Sequence, residues 1–189
     1  LDAACERSQI RLWDVATRQP RGNVLAAKSG NVTSLAFSPD AQSLAVASSN
    51  GSVDVWDVST QQWLYGDNKP RDPVRSVIFS RDGAWLAAGY SDGQDDEWAG
   101  RVVLWDVKRR APFGRAFNEP ERVVTALLFS HDGKTLYVAG EDGVIVVHDL
   151  HSEQWRVRAC QLANRNLTLA EWQQEMGNTP YHKSCPTLP

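Results

Sequence analysis

The stretch Asn50-Gly51-Ser52-Val53-Asp54-Val55-Trp56-Asp57 contains a turn signal, an alternating apolar strand and a terminal Trp-Asp pair. The same pair closes an apolar run at Trp13-Asp14 and at Trp105-Asp106, and His148-Asp149 takes its place once more. Successive pairs are separated by 43, 49 and 43 residues. Self-similarity at such a period indicates a chain built from one repeated supersecondary unit.

Two further markers recur in step with these pairs. A Phe-Ser-x-Asp turn follows an apolar run at Phe37, Phe79 and Phe129. A hairpin signal precedes the Trp-Asp strand at Asn50-Gly51, Asp92-Gly93 and Asp142-Gly143. Such pairs supply the positive φ angles of a type I′ turn, so the flanking strands are predicted to pair antiparallel. Three markers in a fixed order predict an all-β propeller of four-stranded blades.

On these motifs the chain resembles the WD-repeat β-propeller family over about residues 1–150. The resemblance implies inner strands at Val32–Phe37, Val74–Phe79 and Val124–Phe129. Strands ending in the repeat pair are implied at 10–15, 53–58, 102–107 and 144–150, with rim strands near 23–27, 62–65 and 112–117. The structural repeat residues implied in this way are Trp13, Asp14, Trp56, Asp57, Asp92, Trp105, Asp106, Asp142, His148 and Asp149.

The family's buried hydrogen-bonded tetrad joins the repeat Trp to a Ser or Thr, a His and a turn Asp, and it is present only in part. Asp92 and Asp142 match the turn aspartate, whereas Asn50 and Arg7 stand in its place in the other two units. No His precedes an inner strand. We therefore expect the hydrogen-bonded link at the repeat Trp to be missing or made differently.

About four blades are expected, at 1–30, 31–72, 73–121 and 122–151, out of a ring of seven or eight. The chain starts inside a second strand and has no initiator Met, which suggests the C-terminal portion of a longer protein. A helical extension packed on the propeller is expected over 152–189. Its first helix is predicted at 153–163, and Thr168-Leu169-Ala170-Glu171 is a capping-box signature for a second.

The tail motifs around Cys160, Asn164-Arg165-Asn166, Glu171-Trp172 and Cys185-Pro186 resemble a C-terminal extension of many bacterial WD-repeat proteins. In those proteins the propeller follows an N-terminal effector, such as a STAND-type signalling NTPase, a protease or a kinase. The resemblance implies a bacterial, cytoplasmic setting, and it does not identify the effector.

The two tail cysteines, Cys160 and Cys185, admit three interpretations. They form a disulfide that closes a long loop, or they remain reduced and packed, as a reducing cytosol favours. A zinc site with His182 would have three ligands and would lack the paired C-x₂-C spacing of zinc modules. We expect no metal.

Composition and motifs exclude several function classes. The net charge of −3 gives no reason to expect nucleic acid or an anionic membrane as a partner. No apolar run approaches the ~20 residues of a membrane-spanning helix. The sequence has no phosphate-binding loop, no metal-binding H-E-x-x-H helix and no nucleophile elbow. We therefore expect neither an enzyme nor a cofactor.

The longer step of 49 residues places about six extra residues between two strands of the third unit. Insertions in repeat arrays usually mark loops on one face, often the binding face. The tentative partner-binding residues are Asp95, Asp96, Glu97, Trp98 and Arg101. The alternative is a solvated acidic hairpin with Trp98 folded back onto its own blade.

Two functional classes follow. The first is a protein- or peptide-binding scaffold that relays recognition to an upstream effector. The second is a structural or autoinhibitory module of that effector, without an external ligand of its own. Because exposed sheet edges template association, the chain on its own is expected to self-associate or to need the remaining blades.

Overall fold

A computed structural model describes residues 2–6, 9–26, 30–67, 72–91, 100–113, 117–119, 123–150, 165–166, 168–176, 180, 183 and 185. The chain forms two compact units, Leu1–Asp149 and Leu150–Pro189. The described strands of the first unit form four antiparallel sheets, which confirms the all-β repeat architecture.

Each sheet corresponds to one repeat, with its strands in chain order. Sheet 1 contains β1 (Asp2–Glu6), β2 (Gln9–Asp14) and β3 (Gln19–Ala26). Sheet 2 contains β4 (Val32–Phe37), β5 (Ser43–Ser48), β6 (Val53–Asp57) and β7 (Trp63–Asp67). Sheet 3 contains β8 (Val74–Phe79), β9 (Trp85–Ser91), β10 (Gly100–Asp106), β11 (Ala111–Pro112) and β12 (Phe117–Glu119). Sheet 4 contains β13 (Val124–Phe129), β14 (Thr135–Gly140) and β15 (Ile145–Asp149).

The inner strands β4, β8 and β13 begin and end at the predicted residues. The rim strands differ more from their predicted bounds. β3 starts at Gln19, directly after the turn, because Gln19 already pairs with Asp14 of β2. The predicted rim strand at 112–117 is divided into β11 and β12, which both pair with β10. In the described part of the chain, sheet 1 has no inner strand and sheet 4 has no rim strand.

The core of the first unit lies between successive sheets. Three residues of sheet 1, Ile10, Leu12 and Leu25, pack against residues of sheet 2. These are Leu44 and Val46 of β5 and Val58, which follows β6. The other face of sheet 2 packs in the same way on Val77, Leu86 and Trp105 of sheet 3. Sheets 3 and 4 approach so closely that a Cβ at Gly89 would lie 2.5 Å from Cγ1 of Val124. Sheet-on-sheet burial of apolar side chains therefore holds the four repeats together.

The aspartate of three Trp-Asp pairs organises the turn that follows its strand. Oδ1 of Asp57 accepts the backbone N–H groups of Ser59 and Thr60 at 2.9 and 2.7 Å. These hydrogen bonds stabilise the carboxylate and lower the pKa of Asp57 to about 2. Asp14 and Asp106 each accept the N–H group three residues ahead at 2.8 Å. The fourth residue after each aspartate takes a left-handed φ of 56–59°, at Arg18, Gln61 and Arg110.

The Phe-Ser-x-Asp turns share one hydrogen-bonding pattern. The hydroxyl of Ser38 donates to Oδ1 of Asp40 at 2.6 Å, and its oxygen accepts the N–H of Ser43 at 2.9 Å. The same serine-to-aspartate bond recurs at Ser80 and at Ser130, again at 2.6 Å. The bond lowers the pKa of the carboxyl groups of Asp40 and Asp132.

The prediction of a type I′ turn at Asn50-Gly51 is wrong. Such a turn needs two residues with positive φ, and only Gly51 has one, at 86°. The side chain of Asn50 instead accepts the N–H of Ser52 at 3.1 Å, so Asn50 stabilises the turn without leaving the ordinary φ range. The prediction is wrong at Asp142-Gly143 as well, where only Gly143 has a positive φ, at 75°, and Asp142 accepts the N–H of Val144 at 3.1 Å.

The incomplete tetrad affects the hydrogen bonding of the repeat tryptophans. Within the described residues, Nε1 of Trp56 and Nε1 of Trp105 are buried without a hydrogen-bond partner. The ring of Trp105 packs against Tyr65 of the preceding sheet, with centroids 6.1 Å apart. His148 takes the place of Trp by packing on Phe117 of the preceding sheet at 4.6 Å. Apolar and aromatic contact supports these positions.

In the second unit, helix α1 (Leu169–Met176) follows the predicted capping box. Oε2 of Glu171 accepts the N–H of Thr168 at 2.8 Å, and Oγ1 of Thr168 accepts the N–H of Glu171 at 3.3 Å. Trp172 is buried, whereas Leu169, at the first position of the helix, is 56% exposed. The predicted helix at 153–163 lies outside the described residues.

Candidate functional site

The insertion of the third repeat extends from the end of one hairpin. Ser91 pairs with Gly100 as the last described pair between β9 and β10. The intervening segment 92–99 lies outside the described residues, and with it Asp92, Asp95, Asp96, Glu97 and Trp98. Of the five tentative partner-binding residues, the structure therefore places Arg101 alone.

The base of this hairpin is longer than in its neighbours. The β5–β6 ladder ends at the pair Ala47–Val53, and the β14–β15 ladder ends at Ala139–Ile145. The β9–β10 ladder continues for two more pairs, Tyr90–Arg101 and Ser91–Gly100. On its other side, β10 also pairs Arg101 with Asn118 and Gly100 with Glu119. The described base of the insertion is therefore three-stranded and two ladder pairs longer than the ladders of the corresponding hairpins in sheets 2 and 4.

Arg101 is held by its own sheet and by the connection before it. Its guanidinium carbon lies 4.7 Å from the centroid of the Tyr90 ring, a cation–π distance. Its Nη2 atom lies 3.4 Å from Oδ2 of Asp72, and the two side chains are 23% and 19% exposed. Nε and Nη2 of Arg101 have no hydrogen-bond acceptor among the described residues. The side chain is therefore stacked and ion-paired, while two of its nitrogen atoms lack a hydrogen-bond acceptor among the described residues.

A second arginine lies beside the same hairpin end. Nε of Arg75, on β8, donates to Oγ of Ser91 at 3.2 Å. The hydroxyl of Ser91 donates in turn to the carbonyl of Pro73 at 3.3 Å. We call the patch formed by Asp72, Arg75, Tyr90, Ser91 and Arg101 the Arg101 surface. It places two cations at the base of a segment whose sequence is acidic.

The repeats of sheets 2, 3 and 4 each tie their hairpin to the connection before the inner strand by one backbone hydrogen bond. Ser91 N–H donates to the carbonyl of Pro73 at 2.9 Å, and the corresponding bonds join Ser49 to Asn31 at 2.8 Å and Glu141 to Val123 at 3.1 Å. Hairpin ends and connections of three successive sheets therefore lie on one face of the first unit. The Arg101 surface belongs to this face.

Sequence reasoning missed Asp72, Arg75 and Tyr90. Their contacts with Arg101 and Ser91 join positions 11 to 29 residues apart, so neither a helical nor a strand period connects them. The available signal was the longer spacing of 49 residues, part of which the two additional ladder pairs of β9 and β10 take up. Across the described ranges, no group of three or more His, Cys, Asp or Glu side chains is placed to hold a metal ion.

The structural repeat residues occupy the positions described above, apart from Asp92 in the insertion. Cys185 is 6% exposed and disulfide-bonded. Its proposed partner Cys160 lies outside the described residues. The side-chain amide of Asn166 donates to the carbonyl of Cys185 at 2.9 Å and accepts its N–H at 2.9 Å, which fixes the backbone beside the bridge. In the described part of the chain, no helix is long and apolar enough to cross a lipid bilayer.

Comparison with known proteins identifies related repeats. A family model described as "WD domain, G-beta repeat" matches residues 20–57, 63–106 and 114–149. The chain is 23% identical over 146 residues to the small ribosomal subunit protein RACK1 of Neurospora crassa, covering 72% of this chain and 42% of that protein. It is 28% identical over 149 residues to a guanine nucleotide-binding protein subunit beta of Oryza sativa, covering 75% of this chain and 38% of that protein. It is 28% identical over 173 residues to periodic tryptophan protein 2 of Arabidopsis thaliana, covering 85% of this chain and 19% of that protein. The chain thus spans less than half the length of these curated relatives.

Proposed function

This chain belongs to the WD-repeat family, and from that premise we propose that it is a non-enzymatic scaffold module that binds a protein or peptide at the insertion of its third repeat. The match to relatives such as a G-protein beta subunit supports a role in protein interaction. The single observation that carries the proposed site is the elongated base of the β9–β10 hairpin.

The base supports a binding role because pairing and side-chain contacts hold the residues on either side of the insertion in place. Two additional ladder pairs, the stacked Arg101 and the Ser91–Pro73 hydrogen bonds fix both ends of the segment 92–99. A loop on fixed ends loses less conformational entropy when it binds than a freely moving loop does. The β5–β6 and β14–β15 hairpins have shorter bases.

The chemistry of the insertion favours a basic peptide segment with an apolar anchor. Asp95, Asp96 and Glu97 provide three adjacent negative charges, and Trp98 provides a large side chain with few rotamers. Tryptophan is enriched among the residues that contribute most to protein interfaces. The net charge of −3 supports a protein partner over a nucleic acid.

The wider setting proposed is the cytoplasm of a bacterium, behind an N-terminal signalling NTPase, protease or kinase. This part of the proposal is supported by the tail motifs around Cys160 and Cys185. The parent gene tests it directly, because a phosphate-binding loop or a protease motif upstream would identify the effector class. A parent protein without any effector domain would contradict it.

The binding site is tested by selecting peptides from a display library on the full chain and measuring their affinity for variants. Trp98→Ala and the double variant Asp95→Asn/Asp96→Asn should each weaken binding at least about fivefold, since interface residues of this kind contribute more than about 1 kcal/mol. Glu141→Gln removes a charge from the same face at an exposed turn and should leave the affinity unchanged. Equal affinity for all variants would reject the site, and failure to select any peptide would favour the structural or autoinhibitory role.

A further inference from the structure

Three consecutive cations occupy the turn that follows β10. Lys108, Arg109 and Arg110 are all exposed. Because β9 and β10 are antiparallel and the insertion joins one end of the pair, this turn lies at the opposite end of sheet 3. Sheet 3 therefore carries an acidic sequence at one end and a basic sequence at the other.

Two further cations lie beside this run. Arg81 belongs to the turn between β8 and β9, which is tied to the turn after β10 by the N–H of Val107, a donor to the carbonyl of Ala84 at 3.1 Å. Nη1 of Arg81 lies 2.7 Å from Nδ1 of His131 in the corresponding turn of sheet 4, and Lys134 closes that turn. We call Arg81, Lys108, Arg109, Arg110 and Lys134 the basic patch.

The carboxylates of these three turns are engaged within their own turns. Oδ1 of Asp82 accepts the hydroxyl of Ser80 at 2.6 Å and the N–H group two residues ahead at 3.0 Å. Oδ1 of Asp132 accepts the same two kinds of hydrogen bond at 2.6 and 3.1 Å. Oδ2 of Asp106 lies 3.6 Å from Nε of Arg109. Within the described part of the chain, the other four cations of the basic patch form no ion pair.

The turn after β10 does not need cations in order to form. The same three positions are Ser59-Thr60-Gln61 in sheet 2 and Ala16-Thr17-Arg18 in sheet 1. The last residue of each turn has a left-handed φ of 56–59°, so the backbone is shared while the charge is not. The position of Arg81 is proline in sheet 2, at Pro39. The basic run is therefore particular to the third repeat, in a chain whose net charge is −3.

A patch of this composition fits an acidic segment of another protein that binds reversibly. Of the large apolar side chains that are exposed in the described residues, none lies in its three turns, whereas permanent interfaces are rich in such side chains. Exposed cations attract an acidic segment from a distance and bind it in a salt-dependent way. A nucleic acid fits less well, because the segment 92–99 adds four carboxylates to the third repeat and the whole chain is acidic.

We propose that the basic patch binds an acidic segment of a partner protein. The run 108–110 lies on an inner repeat, since sheet 3 packs on sheet 2 and on sheet 4. Its exposure is therefore not a property of the first or the last sheet. The inference is independent of the peptide-binding proposal, because it uses the opposite end of sheet 3 and a partner of the opposite charge.

The test replaces the basic run by the turn of sheet 2. The variant Lys108→Ser/Arg109→Thr/Arg110→Gln takes the sequence of residues 59–61, which already forms the same turn in this chain. We call it the exchange variant, and circular dichroism verifies its fold. Short peptides are selected from a random display library on the full chain, with an excess of the exchange variant in solution as competitor.

The selected peptides should contain several Asp or Glu residues. The exchange variant should raise their dissociation constants, measured by fluorescence anisotropy, about tenfold, which equals about 1.4 kcal/mol shared among three exposed ion pairs. Added NaCl should weaken the binding of the wild type as well. The control variant Arg11→Gln/Arg18→Gln/Lys183→Gln removes three exposed cations outside the basic patch and should leave the affinity nearly unchanged.

Several results would overturn the proposal. These are selected peptides without acidic residues, no peptide that distinguishes wild type from the exchange variant, and equal losses in the exchange and control variants. Tighter binding of a single-stranded oligonucleotide of the same charge would indicate a nucleic acid instead. A complete parent protein that fails to bind the peptides would show that another part of that protein occupies the basic patch, and would reject a separate partner. None of these results bears on the insertion, which has its own variants.

Discussion

A substitution at Gly22 should reveal how the rim of sheet 1 is tied to sheet 2. Gln61 inserts its side-chain amide into β3, where Oε1 accepts the N–H of Asn23 at 2.7 Å. Nε2 donates to the carbonyls of Arg21 and Asn23 at 3.2 and 3.1 Å. The amide occupies the space that a side chain at Gly22 would need, since a Cβ there would lie 2.3 Å from Nε2.

The expected loss for Gly22→Ala has two parts. Gly22 has a φ of 69°, and a left-handed alanine costs about 1 kcal/mol. The new methyl group also expels the Gln61 amide, and three partly exposed hydrogen bonds at about 0.5 kcal/mol each add about 1.5 kcal/mol. Gly22→Ala should therefore lower the free energy of unfolding by about 2.5 kcal/mol.

Two controls isolate the free energy that comes from the hydrogen bonds of the Gln61 amide. In a Gln61→Ala background the amide is already gone, so Gly22→Ala should cost only about 1 kcal/mol. Gly143 has a φ of 75°, and a Cβ there would have none of the described atoms within 4 Å, so Gly143→Ala should also cost about 1 kcal/mol. Urea unfolding followed by tryptophan fluorescence at one protein concentration measures each variant against its own background. Equal costs for Gly22→Ala in both backgrounds would refute the coupling between Gln61 and β3.

Three further outcomes are expected. Ala41→Gly should raise the free energy of unfolding in urea by about 0.5 kcal/mol, because Ala41 holds a φ of 57° where the next two turns have glycine, and this relief exceeds the added chain entropy. Asp57→Asn should lower the melting temperature at pH 7 and flatten its acid dependence. Since the folded pKa of about 2 lies below the ordinary 3.8, the carboxylate stabilises the fold above about pH 4 and loses this effect as the pH falls toward 2. Titration of the denatured, unreduced chain should find one free thiol among three cysteines, as expected if Cys185 is bridged to Cys160; three free thiols would contradict the bridge.

The inner strands could be predicted to the residue because local signals define both of their ends. β4, β8 and β13 each start with valine and end at the phenylalanine before a Ser-x-Asp turn, which closes with its own hydrogen bonds. Rim strands lack such signals. Their limits depend on pairing with the neighbouring strand, on a bulge between Ile10 and Leu12, and on the distant Gln61.

The sequence predicted where in the chain the candidate site lies, but not which side chains contact one another there. The 49-residue step located the insertion, but the contacts of Arg101 with Tyr90 and Asp72 depend on how adjacent strands and connections come together. The turn at Asn50 shows a related limit. Asn tolerates positive φ, and the sequence alone could not distinguish that use from the hydrogen bond that its side chain makes to Ser52.

The Trp-Asp pair combines two separable functions, and the irregular fourth pair shows which of them varies. The aspartate fixes the following turn through its own carboxylate, as at Asp57, and no other residue type replaces it in the four pairs. The tryptophan fills the space between sheets, and its Nε1 has no partner at Trp56 or Trp105 among the described residues. Because no hydrogen bond of the ring has to be kept, His148 can pack on Phe117 and serve the same purpose. Repeats that keep no hydrogen bond of the indole N–H tolerate such a change, whereas a network built around that N–H would leave its other members unsatisfied.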